Sequence, residues 1–203
     1  MELKIFIVFF CTLFTGGHSL QCNQCLDIMG PCKSNVTTCP DTAVCASARI
    51  VESAGDNEVT MQYKGCAVTD ICISGSFNIG DTRTVISTQC CNTDLCNSKD
   101  APDYSSKSPN GKQCYYCDGK SCSNILNCLG KEDYCLKATA TNGTVSQTFK
   151  GCASKSICDA KSQLTADYKS VLCCERNLCN GAKSITQNLL FLLWPLFFYI
   201  LIH

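Results

Sequence analysis

Cysteine is the residue whose type and spacing could carry chemistry in this chain. Two Cys-x-x-Cys pairs, Cys22 with Cys25 and Cys114 with Cys117, have the spacing used for thiol–disulfide exchange or for half of a zinc site. The chain holds 21 cysteines among 203 residues. This density is typical of a secreted scaffold in which paired cysteines leave no thiolate for catalysis or metal binding. We therefore interpret the cysteines as disulfides, and we expect neither a metal nor a cofactor.

Other catalytic groups are sparse. The two histidines, His18 and His203, lie in terminal segments that we expect to be removed, so imidazole bases and Ser-His triads are excluded. The carboxylates are scattered, and no spacing singles out an acid–base pair. The formal net charge is zero, which indicates no nucleic-acid partner. The sequence thus predicts a protein that is not an enzyme.

The N-terminus resembles a secretory signal. Ile5 to Phe14 is apolar apart from Cys11 and Thr12, and Gly17 and Ser19 are small residues at the positions that a signal peptidase prefers. A transmembrane helix would need about 20 apolar residues, more than this segment offers. We predict that residues 1–19 are cleaved.

The C-terminus has the pattern of a lipid-attachment signal. Leu189 to Ile202 carries no charge. As a helix it would cover about 21 Å, less than a hydrocarbon core of about 30 Å. A polar spacer and small residues precede it, as in a glycosylphosphatidylinositol (GPI) signal. We predict that residues 181–203 are removed and that the protein is held on the outer leaflet of the plasma membrane, the alternatives being a membrane-inserted tail or secretion. The candidate attachment residues are Asn180, Gly181, Ala182 and Ser184.

The cysteines form an internal repeat. Loss of Cys11 with the signal leaves 20 of the 21 cysteines, in two sets of ten. Both sets open with Cys-x-x-Cys and close with a Cys-Cys pair followed five residues later by Cys-Asn. The second and third cysteines of the first set are seven residues apart, and those of the second set are five apart. We predict domains at residues 20–97 and 114–180, joined by a polar linker at residues 98–113.

The long intervals between cysteines predict β-hairpins. Ala46 to Glu52 and Glu58 to Lys64 have the alternation of a half-buried strand and flank a turn-forming segment. In the second domain, Leu136 to Thr141 and Thr144 to Lys150 flank Asn142-Gly143, which is typical of a tight type I′ turn.

The chain resembles the lymphocyte antigen 6/urokinase receptor (LU) domain family in both halves. The motifs are Leu20-Gln21-Cys22-Asn23-Gln24-Cys25, Cys114-Tyr115-Tyr116-Cys117 and the closing Cys-Asn pairs at Asn97 and Asn180. The resemblance implies an all-β, small, disulfide-rich fold of two tandem three-finger (snake-toxin-like) domains. It also implies that the two asparagines bond into the disulfide knot. The pairing it implies is Cys22–Cys45, Cys25–Cys32, Cys39–Cys66, Cys72–Cys90, Cys91–Cys96, Cys114–Cys135, Cys117–Cys122, Cys128–Cys152, Cys158–Cys173 and Cys174–Cys179.

Three functions remain open on this resemblance. The first is a GPI-anchored surface glycoprotein that binds an extracellular or cell-surface protein ligand through its finger loops. The second is a secreted inhibitor similar to two-domain phospholipase A2 inhibitors. The third is a complement regulator similar to protectin, although both segments after the end of finger two, 67–70 and 153–156, lack the aromatic residues of that relative.

Surface sites are predicted at two sequons and one loop. Asn35-Val36-Thr37 and Asn142-Gly143-Thr144 are N-glycosylation acceptors. At the tip of finger two in the first domain, Glu52, Asp56 and Glu58 are either an acidic contact for a basic partner or an ordinary solvated turn.

Overall fold

The computed structural model describes residues 19–104, 106–142, 145–160 and 169–181. The predicted all-β, disulfide-rich class with two tandem three-finger domains is confirmed. The first domain comprises β1 (Gln21–Ile28), β2 (Asn35–Thr38), β3 (Val44–Ala54), β4 (Asn57–Ala67), β5 (Gly75–Asn78) and β6 (Thr82–Cys91), with short 3₁₀ turns at Thr69–Ile71 and Cys96–Ser98. The second comprises β7 (Pro109–Tyr116), β8 (Asn124–Leu129), β9 (Tyr134–Asn142), β10 (Val145–Ala153), a single-turn helix α1 (Lys155–Asp159) and β11 (Ser170–Cys174).

The hairpins correspond to fingers. In the first domain, β1–β2 is finger I, β3–β4 is finger II and β5–β6 is finger III; in the second, β7–β8 is finger I and β9–β10 is finger II. The two predicted finger II hairpins are present, and each is longer than predicted. In the first domain the turn is tight, because Ala54 pairs with Asn57 and Gly55 adopts a left-handed φ of 59°. In the second, the predicted turn position is one residue early, because Asn142 belongs to β9 and pairs with Val145.

Ten disulfides form the base of the fingers, five in each domain. They join the same pairs that the family resemblance implies. The central half-cystines are fully buried, including Cys22 and Cys45 in the first domain and Cys114 and Cys135 in the second. Domains of this size bury little apolar surface, so the disulfides provide much of the stabilisation that a larger domain obtains from its apolar core.

A buried asparagine closes each knot. The Asn97 side chain accepts a hydrogen bond from the Asn23 N–H at 2.9 Å and donates to the carbonyls of Asn23 and Ala46, both at 2.8 Å. Asn180 repeats this with Tyr115 and Leu136, at 2.9, 2.9 and 2.8 Å. Each side chain therefore satisfies backbone groups of fingers I and II at once and fixes their relative position.

The segment that follows the first domain, residues 98–104 and 106–108, lies against that domain. We call this segment the strap. Lys64 donates to the Ser98 carbonyl at 2.6 Å and pairs with Asp100 at 2.8 Å, and Arg49 pairs with Asp103 at 3.4 Å. Ala101 is buried. Within the predicted linker at 98–113, β7 begins at Pro109 and pairs there with Leu129 of β8.

One sheet crosses from the first domain into the second. Its nine strands have the order β11-β9-β10-β5-β6-β3-β4-β1-β2, while β7 and β8 form a separate pair. The crossing is between β10 and β5, where Cys152 pairs with Asn78 and Ala153 with Phe77. A Cβ added to Gly151 would lie 1.9 Å from the Asn78 carbonyl oxygen, so glycine is needed for this approach.

A buried ion pair also joins the domains. Glu132 of the second domain has no exposed surface, and its Oε1 accepts from Arg83 Nε at 2.7 Å and from Ser76 Oγ at 2.9 Å. Its Oε2 accepts from the Leu129 N–H at 3.0 Å. With both oxygens satisfied, the desolvated carboxylate favours one docking geometry, because any other would leave it unpaired.

Candidate ligand-binding surface

The Cys-x-x-Cys pairs provide no reactive thiol in this structure. The sulfur atoms of Cys22, Cys39 and Cys66 lie within 4.8 Å of one another, as do those of Cys114, Cys128 and Cys152. Each of the six belongs to a disulfide. Proximity here reflects stacking of neighbouring disulfides, and a disulfide sulfur has no thiolate to offer a metal or a substrate.

The three predicted contact residues lie together around the tip of finger II. Asp56 is in the two-residue turn and Glu52 is exposed on β3, directly opposite Val59. Glu58 differs from them, because its carboxylate accepts from Lys107 Nζ at 3.0 Å and from Ser53 Oγ at 3.3 Å. The lysine holds the pKa of Glu58 below its ordinary 4.5. Glu58 thus serves to hold the strap, and Glu52 and Asp56 are the exposed acids of the tip.

An exposed apolar patch adjoins these acids. Leu26, Ile28 and Met29 at the end of finger I are 67%, 58% and 72% exposed, and Val59 on finger II is 42% exposed. β1 pairs with β4 so that Leu26 lies opposite Tyr63 and Ile28 opposite Met61. Because residues two apart on a strand share a face, this face continues from Met61 to Val59. We call Leu26, Ile28, Met29 and Val59 the apolar patch.

The apolar patch was not predicted from the sequence. A usable signal was present: Leu26 and Ile28 continue the period of two beyond Cys25, so they occupy one face of β1. What the spacing could not show is that this face is left open to solvent. The opposite face of the same sheet carries Arg49 and Lys64, which the strap covers.

A cleft of about 780 Å³ lies between the domains. The strap closes one side through Asp103 and Tyr104, and Arg83 and Lys131 contribute cationic side chains. Its remaining lining is rich in hydroxyl groups, and Ser156 Oγ donates across it to the Ser74 carbonyl at 2.6 Å. The cleft is therefore a product of domain docking, with walls that come from both domains and from the strap.

Some predicted sites lie at or beyond the limits of the described residues. Asn35 is exposed at the start of β2. The Asn142 side chain, the predicted signal up to residue 18, Ala182, Ser184 and the rest of the C-terminal segment are outside the described part. Within the described part, no helix has the length and apolar character needed to cross a bilayer.

Family models match both halves of the chain. Residues 18–99 match the u-PAR/Ly-6 domain, and residues 112–180 match the snake toxin and toxin-like protein family. The chain belongs to the u-PAR/Ly-6 family. The five-disulfide base and the buried closing asparagine are present in both domains, on either side of the strap.

Two groups of relatives match most of this chain. The chain is similar to the urokinase plasminogen activator surface receptors of Bos taurus (30% identical over 79% of this chain) and Rattus norvegicus (30% over 82%). It spans about half of their length, 51% and 56% respectively. It is also similar to the phospholipase A2 inhibitor CNF of Crotalus durissus terrificus, 28% identical over 71% of this chain and 80% of that protein. These relatives are named as receptors and as inhibitors.

Proposed function

We propose that this protein is a GPI-anchored, N-glycosylated cell-surface protein whose first domain binds a protein ligand through the apolar patch. The observation that carries the proposal is the patch itself: four large apolar side chains on adjoining fingers, open to solvent beside the exposed carboxylates of Glu52 and Asp56. Contiguous apolar surface bordered by charge is typical of an interface core with its rim. The expected ligand surface is apolar at its centre with Lys or Arg around it.

The rigid base makes this patch suitable for recognition. Finger I is held to finger II by four consecutive residue pairs, Cys25–Lys64 to Ile28–Met61. The Cys25–Cys32 disulfide closes the same finger. Because the loops are ordered before binding, less conformational entropy is lost when the ligand docks.

The membrane attachment is part of the proposal and rests on the sequence. Asn180 is a poor attachment residue, because its side chain is buried in the knot and its backbone follows Cys179 directly. Lipid transfer requires an accessible peptide, which favours Ala182 or Ser184 over Asn180. Treatment of expressing cells with a phosphatidylinositol-specific phospholipase C is expected to release the protein, and mass spectrometry of the C-terminal peptide should show ethanolamine-glycan. Retention on the cells with an intact tail through His203 would contradict the anchor.

The ligand surface can be tested with the protein displayed on cells. An arrayed panel of purified extracellular proteins would be screened against cells expressing the full precursor. Each hit would then be compared with Leu26→Ser/Ile28→Ser and with a control, Ile125→Ser, which changes an equally exposed apolar residue of the second domain. We expect the double variant to lose at least about tenfold in affinity and the control to lose none. Equal binding by all three forms would rule out the apolar patch.

A soluble inhibitor is the second candidate. It rests on the similarity to the phospholipase A2 inhibitor CNF, of which the chain covers 80%. This candidate predicts a free C-terminus in the medium and inhibition of a purified secreted phospholipase A2 by the purified protein.

A further inference from the structure

The outer edge of finger II is used differently in the two domains. In the first domain the β4 edge is covered by β1: Asp27 pairs with Gln62, Cys25 pairs with Lys64, and the Met29 N–H donates to the Thr60 carbonyl at 2.8 Å. Thr60, Gln62 and Lys64 are thus the residues whose backbone groups point away from β3. The repeat motif Lys-Gly-Cys aligns them with Ser146, Thr148 and Lys150 of β10.

Finger I of the second domain is too short to cover that edge. β7 ends at Tyr116, one residue before Cys117. The segment that follows folds into a turn, in which Asp118 Oδ1 accepts the N–H groups of Lys120 and Ser121 at 2.8 and 2.7 Å. Cys117 and Cys122 are five positions apart in the sequence, whereas Cys25 and Cys32 are seven positions apart. The shorter loop replaces the part of the strand that pairs with finger II in the first domain.

As a result, β10 has an open stretch of edge at Ser146 and Thr148, where no neighbouring strand of the described residues pairs with its outer side. Asn142 and Val145 form the first pair of the β9–β10 hairpin, and their backbone N–H and C=O groups bond to each other. Hydrogen-bonded and non-hydrogen-bonded pairs alternate along an antiparallel ladder, so the backbone groups of Ser146 and Thr148 point away from β9. The same parity directs Cys152 to Asn78 and the Ser154 N–H to the Ser76 carbonyl, at 2.8 Å. Among residues 19–104, 106–142, 145–160 and 169–181, no strand pairs with the outer side of β10 before Cys152.

Two lysines lie beside the open stretch without an acid. Lys150 is directly opposite Lys137 on β9. Its counterpart Lys64 is opposite Ser47 and is neutralised by Asp100 of the strap. Lys150 instead donates to the Cys122 carbonyl at 3.0 Å, and no ion pair within the described residues involves Lys137 or Lys150. Burial lowers the pKa of Lys150, and the positive charge of Lys137 lowers it further.

We propose that the open edge of β10 at Ser146 and Thr148 binds an extended, acidic segment of a partner protein as an added antiparallel strand. β1 on β4 supplies the register, with a partner residue opposite Thr148 in the place that Asp27 has opposite Gln62. A carboxylate at that position lies diagonal to Lys150, within reach of a long side chain. Backbone hydrogen bonds supply affinity, and the two lysines select an acidic sequence. This site is on the second domain and is separate from the apolar patch.

Hydrogen exchange of the free, full-length protein tests whether the edge is open. The Thr148 amide is expected to exchange at least about 100-fold faster than the Gln62 amide, because one faces solvent and the other donates to β1. Val145 and Gln147, which face β9, serve as protected references on the same strand. Equal protection of Thr148 and Gln62 would overturn the proposal, because another part of the chain would then occupy the edge.

Binding is tested with a peptide that already fits the equivalent edge. The probe is residues 23–30 of this chain with Cys25→Ser, which carries the β1 register and Asp27. N-methylation of its Asp27 nitrogen, which faces the edge, is expected to weaken binding at least about tenfold, while N-methylation at Leu26, which faces away, has little effect. Replacing Asp27 of the probe by Asn should weaken binding several-fold, about as much as Lys150→Gln in the protein.

A protein variant completes the test. Thr148→Pro removes the outward N–H, and Thr148→Ala keeps it, so only the proline variant should lose the peptide, by about tenfold. All measurements are repeated with the Asn142→Gln variant, which lacks the predicted glycan near the tip of finger II in the second domain, so that the glycan does not affect peptide binding. Failure of the unmodified peptide to bind at millimolar concentration, or equal binding of the two N-methylated peptides, would refute strand addition at this edge.

Discussion

The two finger I hairpins differ in length and in the sheet edge that they cover. In the first domain finger I continues past Cys25 as β1, pairs with β4 and exposes Leu26 and Ile28 on its outer face. In the second it ends at Tyr116 and turns back through Asp118. The disulfide pairing and the closing asparagine are the same in both. The disulfide knot therefore determines where the fingers start, while the length of the loop determines which sheet edges are covered.

The edges of finger II show the result of this difference. The first domain covers the edge of β4 with its own finger I, whereas the second uses the far end of β10 to pair with β5 of the first domain. The outer face of finger I in the first domain is therefore exposed to solvent, whereas finger II of the second domain is used to bind the first domain. Four experiments test this difference between the domains.

The largest effect is expected from Glu132→Ala. Removal of the carboxylate leaves Arg83 buried and unpaired, so we expect the protein to lose about 3–5 kcal/mol of stability and the domains to separate. Urea denaturation measures the first effect and small-angle X-ray scattering the second. The control is Asp159→Ala, which breaks the exposed Lys155–Asp159 pair and should cost less than about 0.5 kcal/mol. Similar losses in both variants would show that the interdomain pair is not buried.

The corresponding glycines Gly65 and Gly151 should lose different amounts of stability when each is replaced by alanine. In Gly151→Ala the new methyl meets the Asn78 backbone at 1.9 Å, which cannot move without parting β10 from β5, so about 3 kcal/mol is expected. In Gly65→Ala the atoms nearest to the methyl are the hydroxyl and ring of Tyr63, a side chain that can rotate away at the cost of its hydrogen bond to the Cys66 carbonyl, so about 1 kcal/mol is expected. The midpoint of urea unfolding distinguishes the two. Equal losses would mean that the two domains do not touch at this strand.

Corresponding asparagines should respond equally. Asn97→Ala and Asn180→Ala each remove a buried amide and leave backbone groups of fingers I and II unsatisfied, at a cost of about 2 kcal/mol. Thermal unfolding of the two variants checks this. A much smaller loss for Asn180→Ala would show that the second knot is held by its disulfides alone, and the equivalence of the two bases would be wrong.

The smallest effect concerns the strap and pH. Lys107 lowers the pKa of Glu58, so the pair stabilises the fold above the ordinary pKa of 4.5, and this contribution is lost as the pH falls through the lowered value. Lys107→Gln should raise the pKa of Glu58 toward 4.5, as followed by NMR titration of its side chain. An unaltered Glu58 would mean that the strap does not rest on finger II in solution.

Sequence reasoning identified part of the candidate surface. Glu52, Asp56 and Glu58 were identified because charged residues flank a predicted turn, and they do lie together. The different role of Glu58 could not be predicted, because its partner Lys107 is 49 residues away. The exposure of Leu26 and Met29 could not be predicted either, because a strand pattern does not show which face of the strand the rest of the protein covers.

The sequence by itself determined the repeat, the strands of finger II and, through its family resemblance, the disulfide knots. These follow from short-range spacing, from period-two alternation and from motifs that recur in both halves. Only the tertiary structure decided that the domains share one sheet, that Glu132 is buried against Arg83 and that β10 keeps an open stretch of edge. Such features depend on contacts between residues 49 to 78 positions apart, whose energies arise only when the surfaces meet and leave no periodic trace along the chain.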